Sequence, residues 1–202
     1  MKKILMTLAL TSSLAISQLS AAENNFIMDI MPGSAIMHSD IDGFSNNYGG
    51  SSYYASETIK GKASFSPNIA LGYGLDLPYF SLDTTIGGGA MINGAFTATY
   101  LQGEVTAYVT SLKKGFMIGP FFRYVDISDP KWVTDNLKMV GTTANAYGIA
   151  MMTGGKKVKF KMKVSQLTGA NIAVTGRNGY IPSKNTLSLD GVSIELGLAL
   201  RF

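Results

Sequence analysis

Over its last eleven residues the chain alternates apolar and polar positions with a strict period of two. Val192, Ile194, Leu196, Leu198, Leu200 and Phe202 share one parity, while Ser193, Glu195, Gly197, Ala199 and Arg201 take the other. In an extended strand those two sets point to opposite faces. Strands of soluble proteins average about five or six residues. A run of about ten is what a tilted strand needs to cross a bilayer.

The same pattern recurs upstream. Phe65, Ile69, Leu71, Tyr73, Leu75 and Leu77 oppose Ser64, Ser66, Asn68, Ala70, Gly72 and Gly74. Phe80, Leu82, Thr84, Ile86, Gly88, Ala90 and Ile92 form one outer row, with Asp83 turned inward. Leu101, Val105, Ala107 and Val109 face away from Gln102, Glu104, Thr106 and Tyr108. Phe116, Ile118, Pro120, Phe122 and Tyr124 oppose Arg123, and Val158, Phe160, Met162 and Val164 alternate with Lys159, Lys161 and Lys163. Val140, Ala144, Ala146, Ala150 and Met152 are expected outward, opposite Asn145 and Tyr147. With Phe26, Met28 and Ile30 near the start, the pattern predicts eight strands, the smallest number usual for a transmembrane barrel.

The connections alternate in length. Residues 76–79, 111–115 and 154–157 are tight turns, whereas 43–62, 128–136 and 168–186 are long polar links. Asn93-Gly94, a two-residue hairpin signal, is the short exception among the long links. Short turns at one end and long loops at the other are the barrel pattern, with the long loops extracellular. Phe26, Phe80, Phe116 and Phe202 then fall near the periplasmic rim as an aromatic girdle.

The N-terminus reads differently. Met1-Lys2-Lys3 is basic, Ile4 to Ile16 is mostly apolar, and Ser20-Ala21-Ala22 offers small residues for signal peptidase. The apolar run is shorter than the roughly 20 residues of a spanning helix. Residues 1–22 are therefore expected to be a signal peptide cut after Ala22, leaving 23–202 as one barrel domain. Charged residues are 15% of the chain, against about 25% in an ordinary soluble domain. Without Lys2 and Lys3, 15 basic residues face 13 acidic ones, too small an excess to suggest nucleic acid.

A C-terminus of alternating hydrophobics closed by phenylalanine, Leu196 to Phe202, resembles the terminal signature of bacterial outer-membrane proteins. Over residues 24–202 the pattern resembles the small eight-stranded superfamily that includes outer-membrane protein X and the transmembrane domain of outer-membrane protein A. The resemblance implies a Gram-negative outer membrane and recognition of Phe202 by the barrel-assembly machinery. No periplasmic domain follows the final strand, so a tether to the cell wall is not expected.

Candidate chemistry lies in the lumen and the loops. Eight strands enclose an interior just wide enough for side chains to fill it. Asp83, Glu104, Tyr108, Arg123, Tyr147, Lys161, Glu195 and Arg201 are expected there. Burying unpaired charge is expensive, so Asp83, Glu104, Arg123, Lys161, Glu195 and Arg201 are read as a structural network closing the lumen. A small solute channel is the alternative, and a lipid A-modifying enzyme a more distant one. With no cysteine and only His38, a transition-metal site is not expected, nor is any other cofactor. His38-Ser39-Asp40 is not a triad, because Ser39 points opposite to its neighbours in a strand; His38 is placed at the outer rim. Pro32-Gly33 is a candidate bulge that would switch faces. Surface interaction through the long loops remains, with Tyr48, Tyr53 and Tyr54 among Gly, Ser and Asn. Lys60, Lys62, Lys131, Arg177 and Lys184 would ring the outer rim and meet lipopolysaccharide phosphates.

Overall fold

The computed structural model describes residues 23–111 and 115–202, and among them the regular elements are all strands. The expected signal peptide and Lys113-Lys114 lie outside the described residues. The chain order is β1 (Glu23–His38), β2 (Ser45–Tyr48), β3 (Ser56–Thr58), β4 (Ala63–Phe65) and β5 (Asn68–Asp76). It continues with β6 (Phe80–Ile92), β7 (Phe96–Ser111), β8 (Phe116–Trp132), β9 (Leu137–Val140) and β10 (Thr142–Gly154). The last are β11 (Val158–Thr168), β12 (Asn171–Gly176), β13 (Tyr180–Pro182), β14 (Thr186–Ser188) and β15 (Gly191–Arg201).

Nine of these strands form one antiparallel sheet that closes where β15 pairs with β1. β4 and β5 lie end to end between β1 and β6, interrupted at Ser66-Pro67, so the barrel has eight staves. Proline has no N–H for the ladder, which accounts for the break. At the foot of the closing seam Phe26 and Phe202 exchange backbone hydrogen bonds of 3.1 and 3.0 Å. Their rings lie 6.4 Å apart on the outside of the barrel at that end.

The bulge expected at Pro32-Gly33 is present: the β1–β15 register shifts between Ile30 and Gly33. Below it Ile27, Asp29 and Met31 are buried; above it Ser34, Ile36 and His38 are. One extra residue has moved the inward set from odd to even positions.

One stave has the opposite facing to that expected. Directly paired residues of antiparallel strands share a face. Ala146 pairs with Arg123 and Ala150 with Lys163, both inward, so the small residues of β10 line the lumen. Tyr147 pairs with Phe122 and is 54% exposed on the outer surface, not in the lumen. The periodicity was compatible with either facing. The small row faces in because the long side chains of Arg123 and Lys163 need the room.

Along β7, β8 and β11 the polarity of the two faces inverts. On β8 the outward Phe116, Ile118, Phe122 and Tyr124 give way to Asp126 and Ser128, while the inward Arg123 gives way to Val125 and Ile127. On β7, outward Val105 and Leu101 become Thr99 and Thr97, while inward Glu104 and Gln102 become Tyr100, Ala98 and Phe96. On β11 the outward change is from Val164 to Gln166, the inward one from Lys163 and Ser165 to Leu167. The lower part is dressed for lipid outside and charge inside; the upper part is dressed for water outside and an apolar core inside. On β8 the apolar outer band runs from Phe116 to Tyr124, close to the 9–11 residues of a transmembrane strand.

Above this boundary the long links are folded, not mobile polar loops. They form two three-stranded sheets, β14–β12–β9 and β13–β2–β3. Ile41, Phe44, Ile59, Trp132, Leu137, Ile172, Leu187 and Leu189 are buried together beneath them, continuous with the apolar upper lumen. Phe44 and Trp132 meet edge to face at 5.8 Å. Each large side chain of this kind contributes roughly 1.5–3 kcal/mol when buried, enough in sum to hold a compact cap.

Candidate functional site: the charged lumen and its cap

In the lower lumen and at its mouth, charges from seven staves come together. Arg123 is the centre. Its Nη1 donates to Glu195 Oε1 at 2.6 Å, and its Nη2 and Nε to Glu104 Oε2 at 2.7 and 2.9 Å. Lys163 Nζ also binds Glu104, at 2.7 Å. One level lower Lys161 Nζ meets Asp29 at 2.5 Å. At the mouth Arg201 divides its guanidinium between Asp83 at 2.7 Å and Asp76 at 2.8 Å. Phe121 lies beneath the Arg123 and Lys163 cations, at 5.3 and 5.5 Å. A forked guanidinium between two carboxylates is the geometry that recovers most of the desolvation cost.

All six charges expected in the lumen are there: Asp83, Glu104, Arg123, Lys161, Glu195 and Arg201 are each 5% exposed or less. Tyr108 is also fully buried, with Lys161 Nζ 6.0 Å from its ring centre. Asp29 and Lys163 complete the network and were not singled out from the sequence. Their parity already implied them: Asp29 lies between outward Met28 and Ile30, Lys163 between Met162 and Val164. Glycine makes the space at the mouth. A Cβ on inward Gly74 would lie 2.7 Å from Ile27 Cδ1 and 2.8 Å from Asp83 Oδ1.

His38 is not an ordinary polar residue at the rim but a buried bracket. Its Nδ1 is 2.7 Å from the Leu189 carbonyl and its Nε2 2.7 Å from Ser64 Oγ. A carbonyl can only accept, so Nδ1 carries the proton and the neutral ring accepts from Ser64 at Nε2. The bracket ties β1, β4 and the segment leading into β15 together below the cap. Ser64 and His38 are 1% and 2% exposed, which seals the hydroxyl from solvent. Ser39 hydrogen-bonds the Asp190 carbonyl and Asp40 pairs with Lys184, so the contiguous residues do not converge on the imidazole.

Within the cap one carboxylate gathers three segments. Glu57 on β3 accepts from Trp132 Nε1 at 2.8 Å, Asn136 Nδ2 at 2.8 Å, Asn46 Nδ2 at 3.2 Å and the Thr134 hydroxyl. Burial raises its pKa, but the bonds donated by Thr134, Asn136, Trp132 and Asn46 outweigh this and hold it below the usual range. No sequence motif announced this clip, since its donors lie 11 to 79 positions away.

The cations expected at the outer rim are exposed, but three carry acidic partners. Arg177 pairs with Asp135 at 2.9 Å, Lys184 with Asp40 at 3.1 Å and Lys131 with Asp129 at 3.0 Å. Lys60 and Lys62 are exposed and make no ion pair among the described residues. On the outer surface of the cap Tyr53 and Tyr54 are 89% and 75% exposed, and Tyr48 stacks edge to face on Tyr180 at 5.5 Å.

No protein-family model and no curated protein matches the chain. Among solved structures it is similar to Neisserial surface protein A at 11% identity and a TM-score of 0.41, covering 89% of this chain and 97% of that one. The eight-stave barrel itself rests on the strand pairings described above.

Proposed function

We propose that this chain is an integral outer-membrane protein that works at the cell surface through its folded cap, with the barrel as a closed anchor and no catalytic role. The observation that carries this reading is the inversion of polarity along β7, β8 and β11. A strand that is apolar outside and charged inside, then polar outside and apolar inside, fits one that leaves lipid for water partway up. The short-turn end, with both described termini, then faces the periplasm, consistent with export and cleavage after Ala22.

Two layers of filling argue against the small-channel alternative: paired charges below and the apolar core above. In this reading Phe202, locked to Phe26 by paired backbone hydrogen bonds at the seam, is the residue presented to the barrel-assembly machinery. Lys60, Lys62, Arg177 and Lys184 offer contacts to lipopolysaccharide phosphates. Exposed ion pairs such as Arg177–Asp135 are worth about 0–1 kcal/mol, so a phosphate can compete for these cations.

The natural chain has no cysteine, so single-cysteine labelling tests the orientation. Tyr53→Cys is expected to react with a membrane-impermeant maleimide on intact cells, and Lys156→Cys only after the outer membrane is permeabilised. Labelling of Lys156→Cys alone on intact cells would reverse the proposed orientation.

A further inference from the structure

Where the charged lower lumen meets the apolar upper lumen there is a small cavity. Its lining includes Arg123, Glu195, Ser66, Ser193 and Ser165 on the polar side, and Leu167 on the apolar side. The space open to the centre of a water molecule is about 20 Å³. A cavity needs about 10–15 Å³ on this measure to hold one water, so the volume suits one water.

Independently, Ser165, which lines this space, has a buried Oγ with no hydrogen-bond partner among the described residues, although Ser165 is only 4% exposed. A buried hydroxyl left unpaired costs about 1–3 kcal/mol, and buried polar groups in folded proteins are nearly always satisfied by protein or ordered water. Around it, Glu195 receives Arg123 and Asn68, and Ser66 is bonded to Tyr100.

We infer that this cavity is a binding site for a single ordered water molecule, held by Ser165 Oγ at the junction of the two lumen layers. The site is independent of what the cap binds. The water completes the hydrogen bonding of the polar layer at its upper limit, and the residues above it are the dry part of the lumen. The serine is on the last inward position of β11 before the face turns apolar at Leu167.

The test is a structure of the full mature protein at a detail that resolves bound water, for the natural chain and for Ser165→Val. An ordered water about 2.7–3.0 Å from Ser165 Oγ is expected in the natural chain, and its loss is expected in the valine variant. A cavity without ordered density in the natural chain overturns the inference, as does a water that persists unmoved in Ser165→Val. If the valine variant does not fold, the natural chain decides alone: a water bonded to Ser165 Oγ supports the site, and a water bonded only to other groups overturns it.

Discussion

Arg123 on β8 reaches Glu195 on β15 at 2.6 Å across the lumen, while the same guanidinium holds Glu104 of the adjacent stave β7. Removing it strands Glu195 in a sealed interior and leaves Glu104 with Lys163 as its one cation. Arg123→Met is expected to lower stability by about 3–5 kcal/mol, read as the midpoint of urea unfolding in lipid vesicles. Adding Glu195→Gln should recover much of that loss, because the cost comes from the uncompensated charge at Glu195, while Glu104 keeps Lys163. A double variant as unstable as the single one would contradict this origin.

The network was largely legible in the sequence because a period of two reports facing directly. Glu104, Arg123, Lys161, Glu195 and Arg201 each sit opposite an unbroken apolar row. On β10 the same rule misled. Its outer residues include Asn145 and Tyr147, and its inner ones alanine and glycine, so hydrophobicity alone assigned the faces backwards. Size relative to the paired Arg123 and Lys163 decides it, and that needs register. The cap was not legible either. Its core residues, such as Phe44, Ile59 and Leu187, are isolated apolar positions in polar surroundings, and only long-range pairing brings them together.

The Glu57 clip makes the cap sensitive to acid. Its folded pKa lies below the ordinary glutamate value of 4.5, so its contribution is present above that range and is lost as pH falls through the folded value. Trp132, the sole tryptophan of the chain, donates to this carboxylate. Its fluorescence should therefore shift to the red on acidification below about pH 4.5, and the step should vanish in Glu57→Gln. An identical acid step in that variant would assign it to other groups.

Gly74→Val is expected to destabilise the barrel by about 1–3 kcal/mol, because the added methyls displace Ile27, Asp83 and Arg201 at the mouth. Gly103 supplies the control: it faces outward, and a Cβ there meets nothing within 4 Å. Gly103→Ala should leave the urea midpoint unchanged or raise it slightly, since glycine in a strand costs about 0.5–1 kcal/mol relative to alanine. Equal losses in both variants would show that crowding at Gly74 is not the cause.

His38→Ala leaves the Ser64 hydroxyl and the Leu189 carbonyl without their buried partner, at about 1–3 kcal/mol each. The expected result is a lower unfolding midpoint together with lipid A acylation, followed by mass spectrometry, that matches cells carrying the natural chain. An acylation change present with the natural chain and lost in His38→Ala would make the imidazole catalytic.

The claim that the barrel is a closed anchor is tested most directly by single-channel recording of the full mature protein in planar bilayers. With paired charges below and an apolar core above, the expected trace shows no stable openings. Reproducible conductance steps that change in size in Arg123→Met would place an open path through the lumen and contradict the account.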